Sequence, residues 1–177
     1  EVIYSEKGGV LKKNGDGTYS GTITNRASPS TEIIVTKEWD DDGNASGARP
    51  DSVDFFLYYR NPGEADWKPY PDGKLTLTET QKWKGSYTNL PVYAGDTDKP
   101  LEYTVMEISG DDPLMEGGKL PGKNTGQEKF QYTVSYDKEN HCGTGKQWTG
   151  YAAEANGITL DLTVTNSLGR EIDRKSV

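Results

Sequence analysis

Short runs of alternating apolar and polar residues recur along this chain, and the residues between them are those that turn a backbone. Because side chains in a strand alternate between two faces, each run predicts a half-buried strand. Residues 32–39 put Ile33, Val35 and the stem of Lys37 on one face. Residues 51–60 (Asp-Ser-Val-Asp-Phe-Phe-Leu-Tyr-Tyr-Arg) are the richest in aromatics and β-formers. Shorter strands are expected at 67–70, 75–78 and 83–87, separated by Pro71-Asp72-Gly73 and Glu79-Thr80-Gln81, and residues 89–93 lead to a loop ending at Lys99-Pro100. Residues 102–108 put Tyr103, Val105 and Glu107 on one face. Residues 130–136 form another strand, and 157–166 close the series with Leu160, Leu162, Val164 and Asn166 in phase.

The intervening segments differ in length. Residues 109–126 are rich in Gly, Pro and Asp and read as a long loop; residues 137–157 are irregular and suit a short helix or a flap. At the N-terminus, 2–5 and 18–25 read as strands around a glycine-rich turn, and Ser28-Pro29-Ser30 marks a linker. Nothing holds a helical period for more than a turn or two. Regular strands and turns without helices imply an all-β sandwich.

Composition sharpens this picture. Hydrophobic residues make up 32% and mean hydropathy is -0.85, yet 11 Tyr and 4 Trp supply large buried surfaces. The 21 Gly and 9 Pro punctuate the chain often enough for many short strands. A net charge of -8 argues against nucleic acid or an anionic membrane as partner. The single cysteine, Cys142, excludes an internal disulfide, the usual staple of a secreted β-protein. Glu1-Val2-Ile3-Tyr4-Ser5 has neither the basic start nor the apolar run of a signal peptide, so the chain reads as a piece of a longer precursor.

Three polar residues continue apolar rows: Lys37, Glu107 and Asn166. Singly, each is ordinary, since a lysine or glutamate in a strand usually faces solvent and an asparagine after Val-Thr usually ends one. Together, an amine, a carboxyl and a carboxamide on three strands of one sheet protein are the parts of a self-made Lys–Asn isopeptide bond. Burial would neutralise the amine and keep the carboxyl protonated, because desolvation disfavours both charged forms.

The run Val35-Thr36-Lys37-Glu38-Trp39-Asp40-Asp41-Asp42-Gly43-Asn44, followed by Gly47-Ala48-Arg49-Pro50-Asp51-Ser52-Val53, resembles the opening of Cna protein B-type domains, repeat modules of Gram-positive surface adhesins and pilins. Residues 87–93 (Tyr-Thr-Asn-Leu-Pro-Val-Tyr) and 102–107 (Glu-Tyr-Thr-Val-Met-Glu) look like that family's middle, and Val164-Thr165-Asn166 like its last strand. The resemblance covers roughly 31–168 and implies an immunoglobulin-like sandwich with a long 109–156 elaboration. It makes 1–30 the C-terminal part of a preceding repeat plus linker, and 169–177 a linker or the start of a further one. Glu1 to Ile3 would then be the tail of a preceding glutamate strand and Asn25 the counterpart of Asn166.

The same resemblance assigns roles: Lys37 as nucleophile, Asn166 as electrophile and Glu107 as the catalytic carboxyl, acting once per molecule and therefore not as an enzyme. It implies a cell-wall-attached extracellular stalk or adhesive module. Its partners would be neighbouring repeats and a host extracellular matrix protein or glycan, with no cofactor and no metal. The alternative is a ligand-binding adhesin domain using 109–156 as its contact surface.

Other candidates carry less. Adjacent His141 and Cys142 point apart on a strand, and the surroundings of Cys142 and Gln147 do not resemble a thioester domain. One His and one Cys cannot make a structural zinc site unaided. Asp40, Asp41 and Asp42 form an acidic turn that reads as solvated; with Asp111 and Asp112 they are the residues available to a surface calcium ion. Trp67, Trp83 and Trp148 suit either core packing or a glycan-binding face. A glycosidase would need a cleft and a second carboxylate segment, and neither is evident.

Overall fold

The computed structural model describes residues 2–4, 11–21, 23–25, 29–95, 99–124, 129–137, 151–152 and 159–170. The strands are β1 (Val2–Tyr4), β2 (Lys12–Lys13), β3 (Tyr19–Ser20), β4 (Ile23–Asn25), β5 (Ser30–Asp40), β6 (Ser52–Arg60) and β7 (Lys68–Thr78). They continue with β8 (Lys84–Pro91), β9 (Glu102–Ser109), β10 (Asp112–Pro113), β11 (Lys119–Pro121), β12 (Phe130–Tyr136), β13 (Tyr151–Ala152) and β14 (Thr159–Arg170).

Two five-stranded sheets form an immunoglobulin-like sandwich. One runs β10-β9-β6-β7 with β13 beside β9; the other runs β11-β12-β14-β5-β8. The first long strand, β5, lies parallel to the last, β14, while the other pairings in the two sheets are antiparallel. Ile33 and Val35 of β5, Val53, Phe55 and Leu57 of β6, Tyr103 and Val105 of β9, Tyr132, Val134 and Tyr136 of β12, and Leu162 and Val164 of β14 share one core. The alternation visible in the sequence is thus the inward-facing set of both sheets.

Several boundaries differ from expectation for local reasons. Pro71-Asp72-Gly73 does not separate two strands; it is absorbed into β7 as a bulge, where the register against β6 shifts between Phe56 and Tyr58. A side chain at Gly73 would meet the Tyr70 and Leu57 carbonyl oxygens at 2.8 and 2.9 Å, so only glycine fits this approach. Trp83 does not open a strand: Lys82 and Trp83 turn through left-handed backbone, φ 54° and 58°, before β8 begins.

The expected loop 109–126 contains β10, paired to β9, and β11, paired to β12. These rungs are too short to show a period of two in the sequence. The expected strand 18–25 is described in two pieces: β3, in a hairpin with β2, and β4, paired with β1. Of residues 137–157, only Asp137, Tyr151 and Ala152 are described.

Candidate functional site

Lys37 continues the inward row of Thr31, Ile33 and Val35, so its amine is carried into the core; the residue is 3% exposed. Glu107 follows Tyr103 and Val105 on β9, and Asn166 follows Leu162 and Val164 on β14; both are 0% exposed. Three strands from both sheets therefore aim an ammonium, a carboxyl and a carboxamide at one point.

The Lys37 Nζ lies 3.7 Å from Glu107 Oε2 and donates to the backbone carbonyls of Val164 and Glu38, each at 3.1 Å. Asn166 Nδ2 donates to Glu107 Oε1 at 2.7 Å. Glu107 Oε2 and Asn166 Oδ1 are buried without a hydrogen-bond partner. With the amide turned over and Glu107 protonated, the carboxyl O–H would donate to the Asn166 carbonyl.

Burial is the main force on both charges. It pulls Lys37 down to about 8 against the opposing attraction of Glu107. It pushes Glu107 above the ordinary carboxyl value of 4.5, against the opposing effects of Lys37 and the Asn166 hydrogen bond. Burial thus favours a neutral amine beside a protonated carboxyl, and that carboxyl touches the carboxamide.

Aromatic residues cover the amine. Trp39, next in the same inward row, holds its ring centroid 4.7 Å from Lys37 Nζ, with Trp83 and Tyr132 edge-on to it at 5.1 and 4.9 Å. Trp83 also accepts the Lys37 backbone N–H at 2.8 Å through its carbonyl, which ties the turn before β8 to the lysine. Arg49 lies over Trp39, 5.3 Å from the centroid, and binds Asp41 through Nε at 2.9 Å and Nη2 at 2.5 Å. Asp41 also accepts from the Tyr132 hydroxyl at 3.1 Å and caps the 3-10 turn Asp42–Asn44 by accepting from the Asn44 N–H at 3.0 Å.

The acidic turn is therefore not wholly solvated. Asp41 is 5% exposed and its carboxylate is spent on Arg49, a partner eight positions away that only the closed loop brings near. Trp39 was legible as the next inward position after Lys37; the Asp41–Arg49 pair had no sequence signal.

The remaining candidates scatter. Asp111 and Asp112 are exposed on the turn into β10, and among the described residues no three His, Cys, Asp or Glu side chains converge. Trp83 is core, whereas Trp67 is half-buried with Arg60 4.3 Å from its ring centroid. His141, Cys142, Gln147 and Trp148 lie outside the described residues, as does Glu1. Within 109–156, residues 109–124 fold back on the sandwich, and Phe130–Tyr136 is a sheet strand beside β14.

Residues 33–113 match the family model of the Cna protein B-type domain. The chain is similar to a collagen adhesin of Staphylococcus aureus, 34% identical over 155 residues, covering 82% of this chain and 12% of that protein. Among solved structures, it resembles a single B repeat unit of the collagen-binding surface protein of Staphylococcus aureus. That match is 21% identical, covers 89% of this chain and 70% of the other, and has a TM-score of 0.44. It also resembles the pilus adhesin SpaC of Lactobacillus rhamnosus GG at 19% identity, covering 87% of this chain and 14% of the other, with a TM-score of 0.42.

Proposed function

Because this chain carries a Cna protein B-type domain, we propose that it is a stalk or adhesive module of a Gram-positive cell-surface protein, stiffened by an isopeptide bond between Lys37 and Asn166. The observation that supports the bond is the buried triad itself: Lys37 Nζ within 3.7 Å of Glu107, and Glu107 within 2.7 Å of the Asn166 carboxamide.

The chemistry is balanced within the triad. The neutral Lys37 amine attacks Asn166 Cγ, forming the Nζ–Cγ bond. The carboxyl of Glu107 hydrogen-bonds the carboxamide oxygen, making the carbon more electrophilic, and relays the proton that the amine gives up to Nδ2. The Cγ–Nδ2 bond breaks and ammonia leaves. Glu107 is regenerated, but Lys37 and Asn166 are consumed, so the reaction is a maturation step.

The mechanical role follows from topology. β5 and β14 are adjacent and parallel, so tension enters at one pole through the start of β5 and leaves at the other through the end of β14. A Lys37–Asn166 bond carries that tension from first strand to last without peeling the strands between them. We extend the reading to the N-terminal residues as the closing hairpin of a preceding module. The antiparallel pair Val2↔Asn25 has its counterpart in Val134↔Asn166. That correspondence favours β1 as the equivalent of β12 rather than of the glutamate strand. Neighbouring modules of the same polypeptide are then the nearest partners, and an extracellular cell-wall location follows from the role.

Intact-mass measurement under denaturing conditions tests the bond. The wild type is expected to be lighter than its sequence by one ammonia, and Lys37→Ala and Glu107→Ala to have their full sequence masses. A tryptic peptide joining the Lys37 and Asn166 segments would locate the link. A wild type at full sequence mass sinks the proposal.

A further inference from the structure

Tyr136 interrupts a backbone ladder at the residue that carries the catalytic carboxyl. The register of β10 on β9, Asp112↔Ser109 and Pro113↔Ile108, makes Leu114 and Glu107 the next opposed pair. In a regular antiparallel ladder alternate pairs exchange two N–H···O=C bonds, and this is one of those positions. One is made, from the Leu114 N–H to the Glu107 carbonyl at 2.8 Å. In place of the other, the Tyr136 hydroxyl accepts from the Glu107 N–H at 3.0 Å and donates to the Leu114 carbonyl at 2.6 Å.

Tyr136 belongs to the opposite sheet. It sits on β12 at the position paired with Val164, whose carbonyl holds the Lys37 amine, and two residues beyond Val134, which is paired with Asn166. The tyrosine is 2% exposed, and Glu116 grips its strand by accepting from the Tyr136 N–H at 2.8 Å and the Ser135 hydroxyl at 2.9 Å. One hydroxyl thus ties the backbone of Glu107 to the sheet bearing Lys37 and Asn166.

We propose that Tyr136 is a positioning residue for isopeptide formation, its hydroxyl setting the distance of the Glu107 carboxyl from Lys37 and Asn166 across the two sheets. The segment 109–118, part of the stretch 109–126 that the sequence reads as a long loop, is then the brace that holds this contact from the far side. This inference rests on the isopeptide reading of the site. Positioning has a large effect because misplacing a reacting group by about 1 Å can cost on the order of a hundredfold in rate.

The test follows ammonia loss by intact mass after cell-free synthesis is stopped, over a range of pH, for wild type, Tyr136→Phe and Tyr103→Phe. Tyr103 is a control on the same strand as Glu107; its hydroxyl donates to the Pro91 carbonyl instead. Rates are divided by the folded fraction, read by proteolysis at each time point. Tyr136→Phe is expected to react roughly tenfold slower per folded molecule, and Tyr103→Phe to match wild type. Loosening Glu107 from Lys37 also weakens their coupling, so the two limbs of the pH–rate profile should draw together.

Equal rates for Tyr136→Phe and wild type would overturn the proposal and leave the isopeptide bond standing. So would a slower reaction that tracks the folded fraction alone with unmoved pH limbs. A wild type that never loses ammonia would remove the isopeptide reading itself, and this inference with it. Should Tyr136→Phe fail to fold, Glu116→Ala serves in its place. It cuts both side-chain bonds to β12 and is expected to slow the reaction roughly two- to threefold; an unchanged rate overturns the inference.

Discussion

Lys37 and Val164 are partners in the parallel ladder between the first and last long strands, and the Lys37 amine turns back to donate to the Val164 carbonyl at 3.1 Å. The register therefore delivers the amine to the chain two residues before Asn166, on the face where Val164 and Asn166 both point inward. A slip of one residue in this ladder would turn the lysine to solvent. The apolar row that buries Ile33 and Val35 is what holds that register, so packing and chemistry depend on the same alternation.

Replacing Lys37 by methionine keeps an unbranched apolar stem and removes both the nucleophile and the buried charge. The proposed cross-link would close nearly the whole module, which by loop entropy would be worth about 5 kcal/mol. For a chain of this size, that corresponds to a melting temperature lower by roughly 10–20 °C. Thermal unfolding followed by near-ultraviolet circular dichroism checks this against mature wild type. Equal melting temperatures would deny the bond any stabilising role.

How much of this was legible beforehand depends on the range of the interaction. Lys37, Glu107 and Asn166 each extend an apolar row within one strand, so a period of two was enough to aim them inward. Asp41 and Arg49 meet only because the loop between β5 and β6 closes on Trp39, and nothing in the loop's composition encodes that closure. The Tyr136 hydroxyl enters a rung between two other strands. Its position in the row of Tyr132 and Val134 signalled burial, but not what the hydroxyl would meet. The bulge at Gly73 was misread for a similar reason: Pro-Asp-Gly signals a turn locally, and only pairing with β6 converts it to a bulge.

The rate of ammonia loss should be bell-shaped in pH. The reactive state, neutral Lys37 beside protonated Glu107, holds one shared proton, the same number as the ammonium–carboxylate pair. Adding a proton at low pH gives an ammonium beside a carboxylic acid, which has no nucleophile. Removing one at high pH leaves an amine beside a carboxylate, which has no acid. With Lys37 lowered to about 8 by burial, the alkaline limb is expected near that value. Rates measured by mass spectrometry that rise steadily through the alkaline range would contradict this assignment.

Stability of the uncross-linked Lys37→Met protein should fall as pH rises. Burial holds the folded-state value of Glu107 above its ordinary 4.5, and loss of the lysine removes the main opposing influence. Between 4.5 and the folded value the native state binds more protons than the unfolded chain. The cost of the buried carboxyl is therefore absent below 4.5 and grows until Glu107 ionises in the folded state. Urea midpoints across this range should decline for Lys37→Met and stay flatter for Lys37→Met/Glu107→Gln. Parallel curves for the two would show that Glu107 is not the group responsible.

Asp41→Ala should be one of the costliest single changes outside the triad. The Asp41 side chain is fully buried and that of Arg49 is 16% exposed, so removing the carboxylate strands a guanidinium against Trp39. It also leaves the Tyr132 hydroxyl without its acceptor, and leaves the Asn44 N–H with the Asp41 backbone carbonyl alone at 3.1 Å. Breaking such a pair costs about 3 kcal/mol, whereas a surface pair contributes at most about 1. The hydrogen bond from Arg49, ahead of the other influences, holds Asp41 below its ordinary 3.8. Its contribution is then present above 3.8 and disappears as pH falls through the lowered value. Urea unfolding of wild type and Asp41→Ala, each in the Lys37→Met background so that no covalent loop masks the difference, measures this directly. A loss near 1 kcal/mol or below would place the pair with ordinary surface charges, and Trp39 would then owe its position to Trp83 and Tyr132 alone.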